Sequence, residues 1–163
     1  MVNYSAMIED SKIYLTKDGL KKLEQEHQSL RQMKRTKTKD ESLVAGSLNL
    51  SDSEFSIFQE DINLLEARVE ELENILKNYT IIVIPPKSQQ KVVFIGATIL
   101  VEIEGQKDEF TIVGSLEANP MLGKISNASP VGMSLLGHKV GDEVKVQSAV
   151  VSVYKIRKII YQH

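Results

Sequence analysis

The run from Phe55 to Leu76, FSIFQEDINLLEARVEELENIL, decides the architecture of the first half of the chain. Its apolar residues Phe55, Phe58, Ile62, Leu65, Val69, Leu72 and Leu76 recur at alternating spacings of three and four. Residues so spaced fall on one stripe of an α-helix, and three unbroken heptads of that stripe predict a coiled-coil helix. Upstream, Leu20, Leu23, His27 and Leu30 keep the same spacing, and the series then meets Lys34, Lys37 and Glu41 before Val44. A first helix over Lys17–Ala45 therefore has an apolar base and a polar outer half, and at about 1.5 Å per residue it spans roughly 40 Å.

Charge pairs these two helices with each other. Lys17 to Lys39 holds eight basic and three acidic residues, whereas Asp52 to Glu73 holds eight acidic and one basic. Opposite signs favour association of the two and oppose self-pairing of either. The short break from Gly46 to Ser51 turns the chain, so the expected structure is an antiparallel coiled-coil hairpin, and the chain is expected to be a monomer. The alternative use of the same heptads, dimerisation, predicts association that depends on concentration.

The second half has a different grammar. Seven of the nine glycines and all four prolines lie after residue 80, so long elements give way to short ones. The segments Val92–Phe94, Ala97–Ile103, Glu109–Val113, Glu143–Gln147 and Ala149–Ile160 are rich in β-branched residues and read as strands. Glu104 to Asp108 is the expected hairpin loop, and Gln147-Ser148 a second reversal. Between strands, Ser129-Pro130-Val131-Gly132-Met133-Ser134-Leu135-Leu136-Gly137 reads as a short helix: Ser129 caps it, Pro130 suits its first position, and Gly137 ends it. The fold class is α+β, with a hairpin domain over 1–79 and a small β-rich domain over 80–163.

Composition excludes several chemistries. The 163 residues contain no cysteine, which removes a disulfide framework, a thiolate metal site and a cysteine nucleophile. His27, His138 and His163 are scattered, against a histidine-rich zinc centre. No run approaches the roughly 18 apolar residues that span a bilayer, and the N-terminus lacks the order of a signal peptide, so a cytoplasmic protein without membrane contact is expected. A net charge of -2 argues against a dedicated duplex-DNA binder. No nucleophile–base constellation, P-loop or dinucleotide fingerprint occurs, so an autonomous enzyme is not expected.

Two local features carry chemistry. Arg31, Lys34, Arg35, Lys37 and Lys39 crowd into nine residues of the first helix, either as a phosphate-tracking strip for single-stranded nucleic acid or as a face neutralised by the acidic helix. At the turn, Ser51-Asp52-Ser53-Glu54 offers carboxylates suited to Mg²⁺, a hard cation that prefers oxygen ligands. The same residues form a capping box in which Ser51 caps, Glu54 reaches back, and Asp52 complements the helix dipole.

A basic-then-acidic hairpin followed by a small β-rich domain resembles the bacterial Gre family of transcript cleavage factors. The resemblance runs from about Tyr14 to Tyr161. It is carried by Phe94-Ile95-Gly96-Ala97-Thr98-Ile99-Leu100-Val101, by Thr111-Ile112-Val113-Gly114-Ser115-Leu116-Glu117-Ala118, and by Gly123 to Gly132 with Leu135 to Val144. In the first domain, Leu15-Thr16 and Gly19-Leu20-Lys21-Lys22-Leu23 are similar to the family's opening helix.

The resemblance implies an FKBP-like second domain and RNA polymerase as partner. It implies docking at the rim of the secondary channel, with Ser129, Pro130, Gly132 and Gly137 as candidate docking residues, and a hairpin reaching inward. The polymerase then hydrolyses its own backtracked transcript, with acidic residues at the tip helping to hold a Mg²⁺ shared with the polymerase. Asp52, Glu54 and Asn49 are the candidate tip residues, Asp52 the metal ligand, and Arg31, Lys34, Arg35 and Lys37 the patch beside the nascent RNA 3′ end.

The tip departs from the family pattern of Asp, Leu, a variable residue, Glu, Asn, Ala, Glu and an aromatic. Aligned on Leu50, Asn49 stands for the Asp and Asp52 for the first Glu; aligned on Gly46, Ser47 and Leu50 replace them. Each alignment loses at least one carboxylate. Two mechanisms stay open: Mg²⁺-dependent cleavage supported by Asp52, or occupation of the channel without cleavage, as a regulator or inhibitor. Outside this class, an FKBP-like isomerase or chaperone with a coiled-coil handle is the rival, and the absence of tryptophan and scarcity of phenylalanine in the second domain speak against its pocket.

Overall fold

The computed structural model describes residues 12–47, 52–147 and 151–161, which form two compact units. One is Leu20–Asn78; the other joins the chain up to Gly19 with the chain from Tyr79 onward. The expected division at 79/80 therefore needs a correction at the start: the described residues 12–19 belong with the β-rich unit. The cause is a strand pair that composition did not reveal. Strand β1 (Ile13–Leu15) runs parallel to β2 (Tyr79–Ile81), with Ile13 opposite Tyr79 and Leu15 opposite Ile81. Parallel strands need a long crossover, and here the crossover is both helices, α1 (Lys17–Ser47) and α2 (Asp52–Lys77). Leu15 is fully buried, and its carbonyl accepts the Ile82 N–H at 2.8 Å.

In the helical unit, the predicted stripe is real but tapers. Ile62, Val69 and Leu72 are buried; Leu65 and Leu76 are half-buried, and Phe55 is exposed. Ile75, which the strict heptad count passes over, is buried at the base. On α1, Leu20, Leu23, His27 and Leu30 are half-buried, and so are Lys34 and Lys37. The polar interruption thus stays on the packed stripe. Lysine stems cover apolar surface while their ammonium groups reach acids on α2. Lys34 pairs with Glu66 at 2.8 Å, Lys37 with Asp61 at 2.7 Å, Arg68 with Glu26 at 2.7 Å, and His27 with Glu73 at 3.4 Å. From His27 through Lys34 to Lys37 the partners run backwards on α2, from Glu73 through Glu66 to Asp61, which fixes the pair as antiparallel.

The β-rich unit carries a five-stranded sheet in the order β5-β4-β3-β7-β6, from β3 (Thr98–Ile103), β4 (Gln106–Val113), β5 (Lys124–Ser126), β6 (Glu143–Gln147) and β7 (Val151–Ile160). All neighbours are antiparallel except β4 and β5. The loop expected from Glu104 to Asp108 is tighter: strand pairing runs to Ile103 opposite Gln106, leaving a two-residue turn. Glu104 and Gly105 both hold positive φ, 50° and 83°, the conformation that matches the twist of a hairpin. Strand β5 is too short for a sequence pattern to register. The expected reversal at Gln147-Ser148 lies partly outside the described residues.

The core of this unit is built by period-2 alternation: Ile99 and Val101 from β3, Ile112 from β4, Val144 and Val146 from β6, and Ile156 from β7, all essentially inaccessible. The short helix α3 (Pro130–Leu135) adds Leu135 to that cluster. Its ends follow the sequence reading: Ser129 Oγ accepts the Gly132 N–H at 3.0 Å, Pro130 opens the helix, and Gly137 has φ +82° just past it.

Candidate functional site

The hairpin offers two sites, and the structure treats them differently. At the turn end, α1 runs to Ser47 and α2 begins at Asp52. Asn49, Ser51 and the other turn residues lie outside the described part, so the capping box is not placed. Asp52 is the first residue of α2, and Glu54, two positions on, is exposed. Among the described residues no group of three or more His, Asp or Glu converges.

Along the hairpin side, the cationic strip divides. Lys34 and Lys37 are engaged with Glu66 and Asp61, and Lys37 also sits 5.9 Å from the centroid of Phe58. For these two the neutralised-face reading holds. Arg31 and Arg35 are exposed, and neither forms an ion pair with a described residue. One helical turn apart, they line a shallow polar groove of ≈ 450 Å³ with His27, Gln28 and Gln32. Guanidinium groups at this spacing, flanked by amides, suit successive phosphates of an extended strand. One further cation stands apart: Arg68 is gripped by Glu26 and by Glu71, hydrogen bonds that push its pKa above the usual arginine value.

In the β-rich unit, the candidate docking residues are mostly occupied in building α3. Besides capping, Ser129 Oγ donates to the Ser126 carbonyl at 2.7 Å. Gly132 is buried, and a Cβ there would stand 2.1 Å from that same carbonyl oxygen. Gly137 supplies a backbone conformation. The exposed groups on this helix are Pro130 and, three residues on, Met133. Ser129, Gly132 and Gly137 thus shape the surface, while Pro130 and Met133 present it.

Two features escaped sequence reasoning. One is a cavity of ≈ 420 Å³ in the β-rich unit, lined by Tyr14, Ile82, Val93, Phe94 and Leu136 among others. Its lining is mainly aliphatic, though Tyr14 and Phe94 give it more aromatic surface than composition suggested. The other is the carboxylate of Glu117, which meets the start of α1. Thr16 N–H donates to Glu117 Oε2 at 2.6 Å, and the Thr16 hydroxyl donates to Oε1 at 2.5 Å. Nothing in the sequence links position 16 to a residue so far along the chain.

Among the described residues no helix is long and apolar enough to cross a membrane. The model of the GreA/GreB N-terminal domain matches residues 13–81, and that of the GreA/GreB C-terminal domain matches residues 88–161. The chain is 39% identical over 146 residues to transcription elongation factor GreA of Geobacillus kaustophilus, covering 87% of this chain and 92% of that one. It is 42% identical over 147 residues to GreA of Clostridium acetobutylicum, covering 86% and 90%. Among solved structures, GreA factor homolog 1 (Gfh1) of Thermus thermophilus is 28% identical with a TM-score of 0.42, over 91% of this chain and 99% of that one. Both halves of the sequence, hairpin and sheet, thus match one family's two domains in order, and the chain belongs to the GreA/GreB family of transcription elongation factors.

Proposed function

We propose that this protein is an accessory factor of RNA polymerase that enters the secondary channel with its hairpin and acts on backtracked complexes. The observation that carries this reading is the braced hairpin itself: three cross-helix ion pairs and the His27–Glu73 contact hold a helix whose first turn bears Asp52 and Glu54. In such a complex Arg31 and Arg35 track the extruded RNA near its 3′ end, and Pro130 and Met133 present the docking surface of the β-rich unit.

The chemistry at the tip is assisted phosphodiester hydrolysis. Mg²⁺ held by the polymerase supplies Lewis-acid stabilisation of the phosphoryl oxygens and an activated water. This chain contributes one carboxylate, that of Asp52, as an oxygen ligand or as the acceptor that orients the attacking water. Asn49 in place of an acid lends a neutral oxygen without the charge that offsets cation dehydration. The protein acts as a cytoplasmic monomer, because its complementary helix pairs within one chain.

A second reading is favoured by the sequence of the tip, where either alignment with the family pattern loses at least one carboxylate: the hairpin then occupies the channel and regulates without cleaving. One experiment separates the two. Stalled, backtracked elongation complexes with end-labelled RNA are incubated with the protein across Mg²⁺ concentrations. Shortened transcripts that disappear with Asp52→Ala support assisted cleavage. Binding with slowed elongation and no shortened RNA supports the regulator, and no effect on the polymerase at all removes both.

A further inference from the structure

The free edge of β2 runs beside the cavity of the β-rich unit. Among the described residues, β2 pairs only with β1. Leu15 lies opposite Ile81, and its carbonyl accepts the Ile82 N–H at 2.8 Å. In a parallel pair such a residue bonds to the two neighbours of its opposite number, so the Ile81 N–H and C=O point away from β1. No described residue hydrogen-bonds to the main chain of Ile81 on that side, or to that of Val83, whose side chain is 75% exposed. The sequence makes this edge unusual. Residues 79–84 read Tyr-Thr-Ile-Ile-Val-Ile, with high strand propensity, no charge and no proline. Soluble proteins blunt such an edge with lysine, proline or a covering element. Here the prolines, Pro85 and Pro86, come only after the run has ended.

Ile81, Ile82 and Val83 of this run also line the ≈ 420 Å³ cavity, whose described lining includes no charged residue. Its walls are held by hydrogen bonds of their own. Val93 N–H donates to the His138 carbonyl and Gly137 N–H to the Val93 carbonyl, both at 2.8 Å, and Gln90 Nε2 donates to the Pro85 carbonyl at 2.9 Å. The hollow is therefore preformed, which lowers the cost of filling it. A strand edge gives a peptide its affinity through main-chain hydrogen bonds, and a pocket beside the edge gives selectivity through the side chain it admits. We propose that the β2 edge and this cavity form one docking site for an extended, uncharged peptide segment of a partner protein, which pairs with Ile81 and Val83 as an added strand and lays an aliphatic side chain in the cavity. A charged side chain there loses its hydration against walls that return no opposite charge. A second copy of this chain fits less well, because an edge of about 20 Å falls short of the roughly 1,200 Å² that a stable interface buries. The inference does not depend on the function proposed above.

The probe is a blocked, uncharged peptide with one aliphatic residue, acetyl-Gln-Thr-Leu-Thr-Gln-amide. It is titrated into the full-length ¹⁵N-labelled protein to about 10 mM, which fills about nine-tenths of a site with a Kd of about 1 mM. The amide signals of Ile81 and Val83 should shift, and their hydrogen exchange should slow about tenfold. Two control peptides, one with Asp in place of Leu and one N-methylated at its three central residues, should leave both signals unmoved. Val83→Pro removes the exposed N–H from the edge and should abolish the response while moving the melting temperature by no more than about 2 °C. If that variant unfolds, the N-methylated peptide carries the same test on the unaltered protein.

No response from residues 79–84 to the parent peptide overturns the proposal. An equal response to the N-methylated peptide does so as well, since strand pairing then contributes nothing, and an equal response to the Asp peptide takes the cavity out of the site and overturns it too. Slow exchange at Ile81 and Val83 before any peptide is added is the remaining contrary result. Protection that is independent of protein concentration assigns the edge to a segment of the same chain, and protection that grows with concentration assigns it to a second copy.

Discussion

Splitting the cationic strip into engaged and free members gives a sharp expectation: Arg31→Ala with Arg35→Ala should remove nucleic-acid contact without loosening the hairpin, and Lys34→Ala with Lys37→Ala should do the reverse. The lysine pairs are half-exposed, 38% and 50% for Lys34 and Glu66, 30% and 54% for Lys37 and Asp61. Such pairs stabilise by about 0.2–1 kcal/mol each, and the Lys37 contact with Phe58 by about 0.5–1 kcal/mol, so the double lysine variant should lose about 1–3 kcal/mol. The exposed arginines lack such partners among the described residues, so their loss should change stability by no more than about 0.5 kcal/mol. Each phosphate neutralised on a single strand contributes about 0.7 to the slope of log affinity against log salt, so the arginine pair should lower that slope by about 1.4. The assay is the half-saturating concentration on complexes backtracked with long extruded RNA, over a salt series, with short backtracks as the control. A lysine variant that lowers the slope as much as the arginine variant would refute the division. So would equal losses on long and short backtracks.

Three further outcomes follow from packing and protonation. Leu72 is fully buried in the helical unit, so Leu72→Ala should cost about 2–5 kcal/mol in urea unfolding of the intact chain. Gly132→Ala drives a methyl into the Ser126 carbonyl, a backbone group that cannot swing aside, and should cost about 1–3 kcal/mol and weaken docking through α3; an unchanged melting temperature would contradict the close approach. Asp142 is held below the ordinary carboxylate range, first by the Lys139 N–H and then by its hydrogen bond with His138. A depressed folded value means its contribution is present above an unfolded value of about 3.9 and fades as pH falls through the folded one. Asp142→Asn should therefore flatten the loss of stability below about pH 4, by a small amount because the side chain is 44% exposed.

The elements legible in the sequence were those whose pattern is local. Heptad spacing from Phe55 to Leu76 gave α2, and Ser129, Pro130 and Gly137 gave α3 with both ends. What stayed hidden depends on partners distant in the chain. Strand β1 has three residues and exists because β2 returns beside it after the whole hairpin. The contact of Glu117 with Thr16 joins positions 101 apart, and a carboxylate in a 3-10 turn has no local pattern that names its partner. The strip at Arg31 to Lys37 was visible as composition, but only the partner helix decides which cations are spent. The tip stood open for another reason: its chemistry turns on which alignment with the family pattern holds, Asn49 with Asp52 or Ser47 with Leu50.

The hairpin shows how the same residues can serve stability and function without conflict. A seam made wholly of leucine would be firmer, yet it would leave Glu66 and Asp61 on α2 without their cationic partners on α1. Lys34 and Lys37 keep the seam's spacing and surrender their charges to α2, which holds the outer half together through groups that also keep it soluble. Arg31 and Arg35, off the seam, carry the charge that is left for a partner. Arginine suits that role better than lysine, since its planar fork grips phosphate oxygens in pairs and its weaker hydration lowers the cost of leaving water. Toward the base Leu72 and Ile75 are buried, and farther out Lys34 and Lys37 join the two helices by ion pairs around the buried Ile62.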